Sequence, residues 1–69
     1  MSDYQIETFD HISKAWERHG AIVTAKIGLE SLERLDREGF AAALVRVDGK
    51  EPVVLNREAK IWGVQYCAA

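Results

Sequence analysis

The sequence predicts a small α+β fold, in which an antiparallel β-sheet of four to five strands packs one or two short helices on one face. Residues 21–27 are rich in β-branched side chains, as strands are. Residues 29–38 carry leucines at helical spacing. Asp48-Gly49 is a strong signal for the two-residue turn of a β-hairpin. With 69 residues, the chain has the length of a single domain, residues 1–69.

The N-terminal part of the chain carries two successive patterns. Residues 4–8 alternate weakly between side chains of different polarity, which predicts a short strand. From residue 9 onwards, apolar side chains recur at spacings of three and four. This pattern predicts a helix over about residues 9–19, closed by Gly20. A long hairpin through Arg18-His19-Gly20 is the alternative.

The helix at residues 29–38 is the best-specified element. Its three leucines share one face, and its acidic residues precede basic ones by four positions, which is the favourable order. Gly39 follows at the position where a left-handed residue ends many helices. We therefore expect a Schellman cap, with Phe40 in contact with Leu35.

The last third of the sequence predicts a three-stranded antiparallel meander. Its strands cover residues 40–47, 52–56 and 60–66, joined by the turn at Asp48-Gly49 and a second turn at residues 56–59.

A two-residue turn also fixes the pairing of the first two meander strands. It places Arg46 opposite Glu51, a favourable ion pair, and Leu44 opposite Val53. Because Pro52 has no N–H to donate, we expect the strand at residues 52–56 to lie at the edge of the sheet.

Composition and charge exclude several classes of protein. The net charge is −2, and acidic and basic residues are interleaved, so strong binding to phosphate backbones is not expected. No apolar run approaches the roughly eighteen residues of a membrane span. The segment from Met1 to Tyr4 lacks the basic and apolar regions of a secretion signal. With Cys67 as its one cysteine, the protein is expected in the reducing cytoplasm.

The residues able to carry chemistry do not form a recognisable catalytic or metal-binding pattern. His11 and His19 are eight positions apart, too far for the close pairs that zinc sites use. Cys67 lies next to the chain end, where a nucleophile would be poorly held. We therefore predict no cofactor, no metal and no enzymatic activity.

The candidate binding surface comes from the strand at residues 40–47, which is apolar on both faces. Ala42 and Leu44 point one way, whereas the odd-numbered residues point the other. Short helices can cover only one face of the sheet, so the other is expected to be a partner-binding surface or a homodimer seam. The predicted partner-binding residues, placed on or near the meander, are Trp62, Tyr66, Val64, Arg57, Lys60 and Arg46. Of the two tryptophans, Trp16 is expected to be buried and Trp62 at least partly accessible.

These expectations favour a non-enzymatic regulator or inhibitor that binds a larger protein stoichiometrically. Antitoxins, immunity proteins and phage anti-CRISPR proteins are analogous in size and charge alone. The alternative is a small dimeric nucleic-acid-binding regulator, in which basic side chains and aromatic rings on the sheet would contact single-stranded bases.

Overall fold

The computed structural model describes residues 3–49 and 53–67, and this part of the chain forms four strands and two helices. In chain order the elements are β1 (Tyr4–Asp10), β2 (Ala15–Val23), α1 (Ala25–Glu38), β3 (Ala42–Arg46), β4 (Val54–Leu55) and α2 (Arg57–Trp62). The strands lie in the order β2-β1-β3-β4, and every neighbouring pair is antiparallel. The α+β class and the antiparallel sheet predicted from the sequence are confirmed.

The predicted helix at residues 9–19 is wrong, and the alternative of a long hairpin is correct. These residues join the end of β1 to most of β2, and the chain turns at residues 11–14. Arg18-His19-Gly20 lies inside β2. Phe9 faces Trp16 across the strand pair, and their rings pack edge to face with centroids 5.4 Å apart. The spacing of these two aromatic residues therefore reflects cross-strand pairing and not a helix face.

Asp10 explains why the chain turns where a helix was expected. Its Oδ1 accepts hydrogen bonds from the backbone N–H groups of Ile12 at 2.8 Å and Ser13 at 3.4 Å. An aspartate can make such bonds at a helix start or in a turn. Here Lys14 closes the turn, with a left-handed φ of 61° and an N–H donated to the Asp10 carbonyl at 2.8 Å.

Helix α1 ends where the sequence predicts and begins four residues earlier. Its start is set by Thr24, whose Oγ1 accepts from the N–H of Ile27 at 3.3 Å. At its end, Gly39 has a φ of 83° and donates to the Asp36 carbonyl at 3.0 Å. Phe40 donates to the Leu35 carbonyl at 2.9 Å. The predicted Schellman cap is confirmed, whereas the strand predicted to reach residue 27 ends at residue 23.

The pairing of β3 with β4 differs by one residue from the prediction. Leu44 lies opposite Val54 and not Val53, so the connection is longer than a two-residue hairpin turn. Arg46 forms an ion pair with Asp48 at 3.2 Å, at the start of this connection. The expected partner Glu51, like Pro52, lies outside the described residues. Strand β4 is at the edge of the sheet, as expected.

The third meander strand, predicted at residues 60–66, is wrong, because α2 and an irregular segment occupy this part of the chain. The residues interpreted as a turn form the first turn of α2. Asn56 caps the helix start by accepting from the N–H of Ala59 at 2.8 Å. Gly63, with a φ of 70°, ends the helix. A six-residue helix is too short to be stable alone, so its contacts with the rest of the protein hold it.

Two apolar clusters lie on the two faces of the sheet. The cluster under α1 contains Ile6, Leu32, Leu35, Ala42 and Leu44. The cluster under α2 contains Trp16, Ala41, Ala43 and Ala59. The predicted two-sided burial of β3 is confirmed. The expectation that one or two short helices pack on one face and leave the other uncovered does not hold, because α2 and the segment after it cover part of the second face.

Asn56 joins three elements through one buried side chain. Its Oδ1 also accepts from the N–H of Ala42, at 3.0 Å, and its Nδ2 donates to the Phe40 carbonyl at 2.8 Å. Its backbone N–H donates to the Ala42 carbonyl at 2.9 Å. The side chain is 4% exposed, so water does not readily replace these bonds. Asn56 therefore positions α2 against the start of β3.

Asp36 of α1 binds the remaining free N–H groups at the start of α2. Its Oδ1 accepts from the N–H of Glu58 at 2.9 Å, and its Oδ2 accepts from the N–H of Arg57 at 3.3 Å. A carboxylate at this place also interacts favourably with the helix dipole. The two helices, on opposite faces of the sheet, are thus linked at one end of the fold.

We expect Asn56→Ala to lower the free energy of unfolding by about 2–4 kcal/mol, because it removes a helix cap and leaves the Ala42 N–H and the Phe40 carbonyl without partners. Asn56→Asp is the matched variant, since it keeps the acceptor and loses only the donor to Phe40. The loss of unfolding free energy in Asn56→Asp should be smaller at low pH, where a protonated carboxyl can again donate to the Phe40 carbonyl. Urea unfolding at pH 7 and pH 4 measures both effects. A deficit below about 0.5 kcal/mol for Asn56→Ala would contradict this role.

Gly28 sets how closely α1 approaches the sheet. It is buried in α1, and a Cβ at this position would overlap Cδ1 of Leu44 and lie 3.1 Å from its Cδ2. Gly28→Ala gains about 1 kcal/mol of helix propensity but overpacks the core by about 1–3 kcal/mol. We expect net destabilisation in urea unfolding. In a double-mutant cycle with Leu44→Ala, the double variant should be more stable than the sum of the two single effects. An additive cycle would show that the two residues do not compete for space.

Candidate functional site

Exposed apolar side chains gather at the end of the fold that carries the β1–β2 turn. We call this surface the aromatic end and define it by Phe9, His11, Ile12, Phe40 and Trp62. Ile12 is 94% exposed, Trp62 55% and Phe40 51%. Large apolar residues this exposed do not contribute fully to the core, and clusters of them mark interaction surfaces.

Ring contacts connect the aromatic end across separate elements. The His11 ring lies on Trp62, with centroids 4.2 Å apart and an interplanar angle of 36°. The Phe9 ring meets His11 edge to face at 5.7 Å. Trp62 is held further by Glu58, whose Oε2 accepts from the indole Nε1 at 2.9 Å. Trp62 is thereby oriented in advance, which lowers the entropy that a partner must offset on binding.

Local structure around the turn places the other members of the aromatic end. The hydrogen bonds that Asp10 accepts fix the turn and leave the Ile12 side chain pointing into solvent. These bonds, chiefly the one from Ile12, also lower the pKa of the Asp10 carboxyl, so it stays charged. Phe40 follows the cap of α1 and lines a shallow depression together with Phe9, His11 and Ile12.

A groove of about 430 Å³ lies on the sheet face opposite α1, in the part that α2 leaves open. Its walls include Trp16 and Val45, and Tyr66 of the C-terminal segment lies beside them. The rings of Trp16 and Tyr66 are 5.4 Å apart, and the Trp16 Nε1 donates to the Gln65 carbonyl at 3.1 Å. These contacts hold the C-terminal segment against the sheet.

Glu7 is the acidic residue among the described residues that line the groove, where the basic residues Arg18 and Arg46 accompany it. It is 9% exposed, and its Oε2 accepts a hydrogen bond from the Tyr66 hydroxyl at 3.1 Å. Burial raises the pKa of the Tyr66 phenol above its usual value of 10.0, and the negative charge of Glu7 and the hydrogen bond to it raise it further. Tyr66 therefore remains a hydrogen-bond donor to Glu7 throughout the neutral pH range.

The structure places the binding residues predicted from the sequence in three different locations. Trp62, Lys60 and Arg57 lie on α2, and only Trp62 belongs to the aromatic end. Tyr66 and Arg46 line the groove, and Val64 packs on the cluster beneath α2. Trp62, Val64 and Tyr66 do not share a strand face, because Gly63 ends α2 between them.

The burial of the two tryptophans agrees with the prediction, since Trp16 is 6% exposed and Trp62 is 55% exposed. Sequence reasoning missed His11, Ile12 and Phe40 as members of a surface. The sequence pattern predicts His11 and Ile12 within a helix, and it predicts Phe40 at the cap of α1 and at the start of the strand over residues 40–47. A strand–turn–strand interpretation of residues 4–23 would have placed Ile12 at an exposed turn.

Within residues 3–49 and 53–67, no group of three or more His, Cys, Asp or Glu side chains is arranged to hold a metal ion. Neither helix in these ranges is both long and apolar enough to cross a membrane. Comparison with protein-family models, with curated proteins and with solved structures finds no match.

We expect stability to fall above about pH 10 through the ionisation of Tyr66. Because its folded-state pKa is raised, the unfolded chain loses this proton first. The contribution is fully present below the unfolded pKa and is lost as the pH rises through the folded pKa. Urea unfolding between about pH 8 and 12 measures it. Tyr66→Phe should be about 1 kcal/mol less stable at pH 8 and should fall less steeply at high pH. An equally steep fall in Tyr66→Phe would contradict the assignment.

Proposed function

We propose that this protein is a non-enzymatic regulator or inhibitor that binds a larger protein stoichiometrically through the aromatic end. The observation that carries the proposal is the exposure of Trp62, Phe40 and Ile12 on one connected surface. Tryptophan is prominent among residues that dominate interface energies, and an oriented, half-exposed ring can enter a partner's pocket with little further ordering.

The charges near the aromatic end suit a protein partner better than a nucleic acid. Asp10 and Glu58 place carboxylates beside the exposed rings, which would repel phosphates. Elsewhere, Arg46 lies 3.2 Å from Asp48 and Arg34 lies 3.8 Å from Glu38. These arginines are partly neutralised within the protein, so the nucleic-acid alternative has less support.

The proposed mode of action is occlusion, in which the small protein covers a functional surface of its partner. Antitoxins, immunity proteins and phage anti-CRISPR proteins work as small stoichiometric binders, and this protein shares their size class. The proposal places the protein in the cytoplasm, where Cys67, which is exposed, would remain reduced.

The test begins with capture of partners from the native cell by the tagged protein, followed by measurement of the affinity for the purified partner. Trp62→Ala and Ile12→Ser should each weaken that affinity by about tenfold or more. Ile27→Ser is the matched control, because Ile27 is also half exposed, at 50%, but lies at the opposite end of α1 from Phe40. The control should bind within about twofold of the parent protein, and circular dichroism should show all three variants folded.

Two outcomes would contradict the proposal. One is an affinity that stays within twofold in both Trp62→Ala and Ile12→Ser. The other is a captured complex that nuclease treatment removes, which would favour the nucleic-acid alternative.

A further inference from the structure

Glu7 is a buried carboxylate with little to compensate its charge. Over residues 3–49 and 53–67, the Tyr66 hydroxyl is the one side-chain donor that reaches its carboxylate, and the ion pairs formed there do not include it. Its neighbour across the strands, Arg18, is exposed and does not form an ion pair with it. Burying a charge is costly unless an opposite charge or several hydrogen bonds accompany it. Folding alone therefore does not account for an acidic residue at this position.

The groove next to Glu7 provides space for the missing partner. Its volume of about 430 Å³ is within the range of small-ligand sites. The Glu7 carboxylate lines it together with the rings of Trp16 and Tyr66, and Val45 and Ile22 add apolar wall. Arg18 and Arg46 also line the groove, and Arg46 forms an ion pair with Asp48 at 3.2 Å. Glu7 therefore gives one part of the lining an anionic and aromatic character, next to apolar side chains.

This combination matches a cation carried on an apolar stem. A guanidinium group forms paired, charge-assisted hydrogen bonds with a carboxylate, and its flat face stacks on aromatic rings. An ammonium group interacts as a point charge and stacks less well. Methylene groups behind the guanidinium would contact the apolar walls.

We propose that the groove binds an alkylguanidinium group, with the cation at Glu7 and its stem along Trp16, Tyr66 and Val45. The site is separate from the aromatic end, so it extends beyond the proposed function and does not depend on it. The group is either an arginine side chain of a polypeptide or a free guanidino compound. In both cases Glu7 supplies the charge that selects the ligand.

Removal of the Arg18 charge tests whether the groove receives a guanidinium group from outside the protein or whether Arg18 itself supports the site. Because Arg18 also lines the groove, its positive charge opposes an incoming cation. Its removal should strengthen binding if the groove receives an external guanidinium. If Arg18 instead served the site by orienting Glu7, its removal would weaken binding.

The test uses Trp16 as the reporter, in the full-length chain carrying Trp62→Phe, which leaves Trp16 as the one remaining tryptophan. Its fluorescence is titrated with N-acetyl-L-arginine amide, with agmatine as the free guanidino compound, and with N-acetyl-L-citrulline amide as an uncharged analogue of the same shape. We expect a saturable change with at least one guanidinium probe and at least about tenfold weaker binding of citrulline. The tighter of the two guanidinium probes identifies the source of the ligand.

Substitutions of single residues show whether the guanidinium probes bind in the groove. Glu7→Gln should weaken guanidinium binding by about tenfold or more, whereas Arg18→Gln should tighten it. Arg34→Gln removes the same charge as Arg18→Gln but from α1, on the other face of the sheet, so it should bind within about threefold of the parent and serves as the matched control. Circular dichroism reports whether each variant folds. Equal binding of arginine and citrulline amides, unchanged binding in Glu7→Gln, weaker binding in Arg18→Gln or the absence of saturation by either guanidinium probe would overturn the proposal.

Discussion

The buried amide of Asn56 is the interaction on which the arrangement of the second sheet face depends. A side-chain amide offers one acceptor and two donors, and here the acceptor serves both the start of α2 and the start of β3, while a donor reaches the carbonyl that follows the α1 cap. Helix α2 has too few residues to form alone, so its place in the fold is imposed by Asn56 and by the Asp36 carboxylate. In a protein this small, two polar side chains thus fix the position of a whole structural layer.

Both candidate sites depend on that layer, in different ways. The far end of α2 carries Trp62 to the β1–β2 turn, where it meets His11. The segment after Gly63 then returns along the sheet and brings Tyr66 over Glu7. The same element therefore completes an apolar surface at one end of the strands and bounds a polar groove on the sheet face. A shift of α2 would disturb both sites together, whereas changes in single side chains such as Ile12 or Glu7 separate them.

The features that depend only on residues close together in the chain could be predicted from the sequence. The Gly39 cap and the alternation of residues 42–45 need only neighbouring residues, and both are confirmed. The pattern in residues 9–19 is ambiguous, because pairing between Phe9 and Trp16 across a turn produces a spacing that also suits a helix. Helix α2 was missed for a different reason. Asn56 caps it only while also bonding to residues 40 and 42, contacts that are distant in sequence and invisible to a local pattern.

The fold explains the degree of burial of some residues but not of others. Ala42, Ala43 and Ala59 are fully enclosed, and their small size lets both helices approach the sheet. Ile12 is almost fully exposed, so burial gives no reason for an isoleucine there. Glu7 presents the opposite case, since burial of its charge weakens the fold unless something compensates it. The exposed apolar side chain of Ile12 and the buried charge of Glu7 are therefore the two features on which the proposed binding surface and the proposed guanidinium site rest.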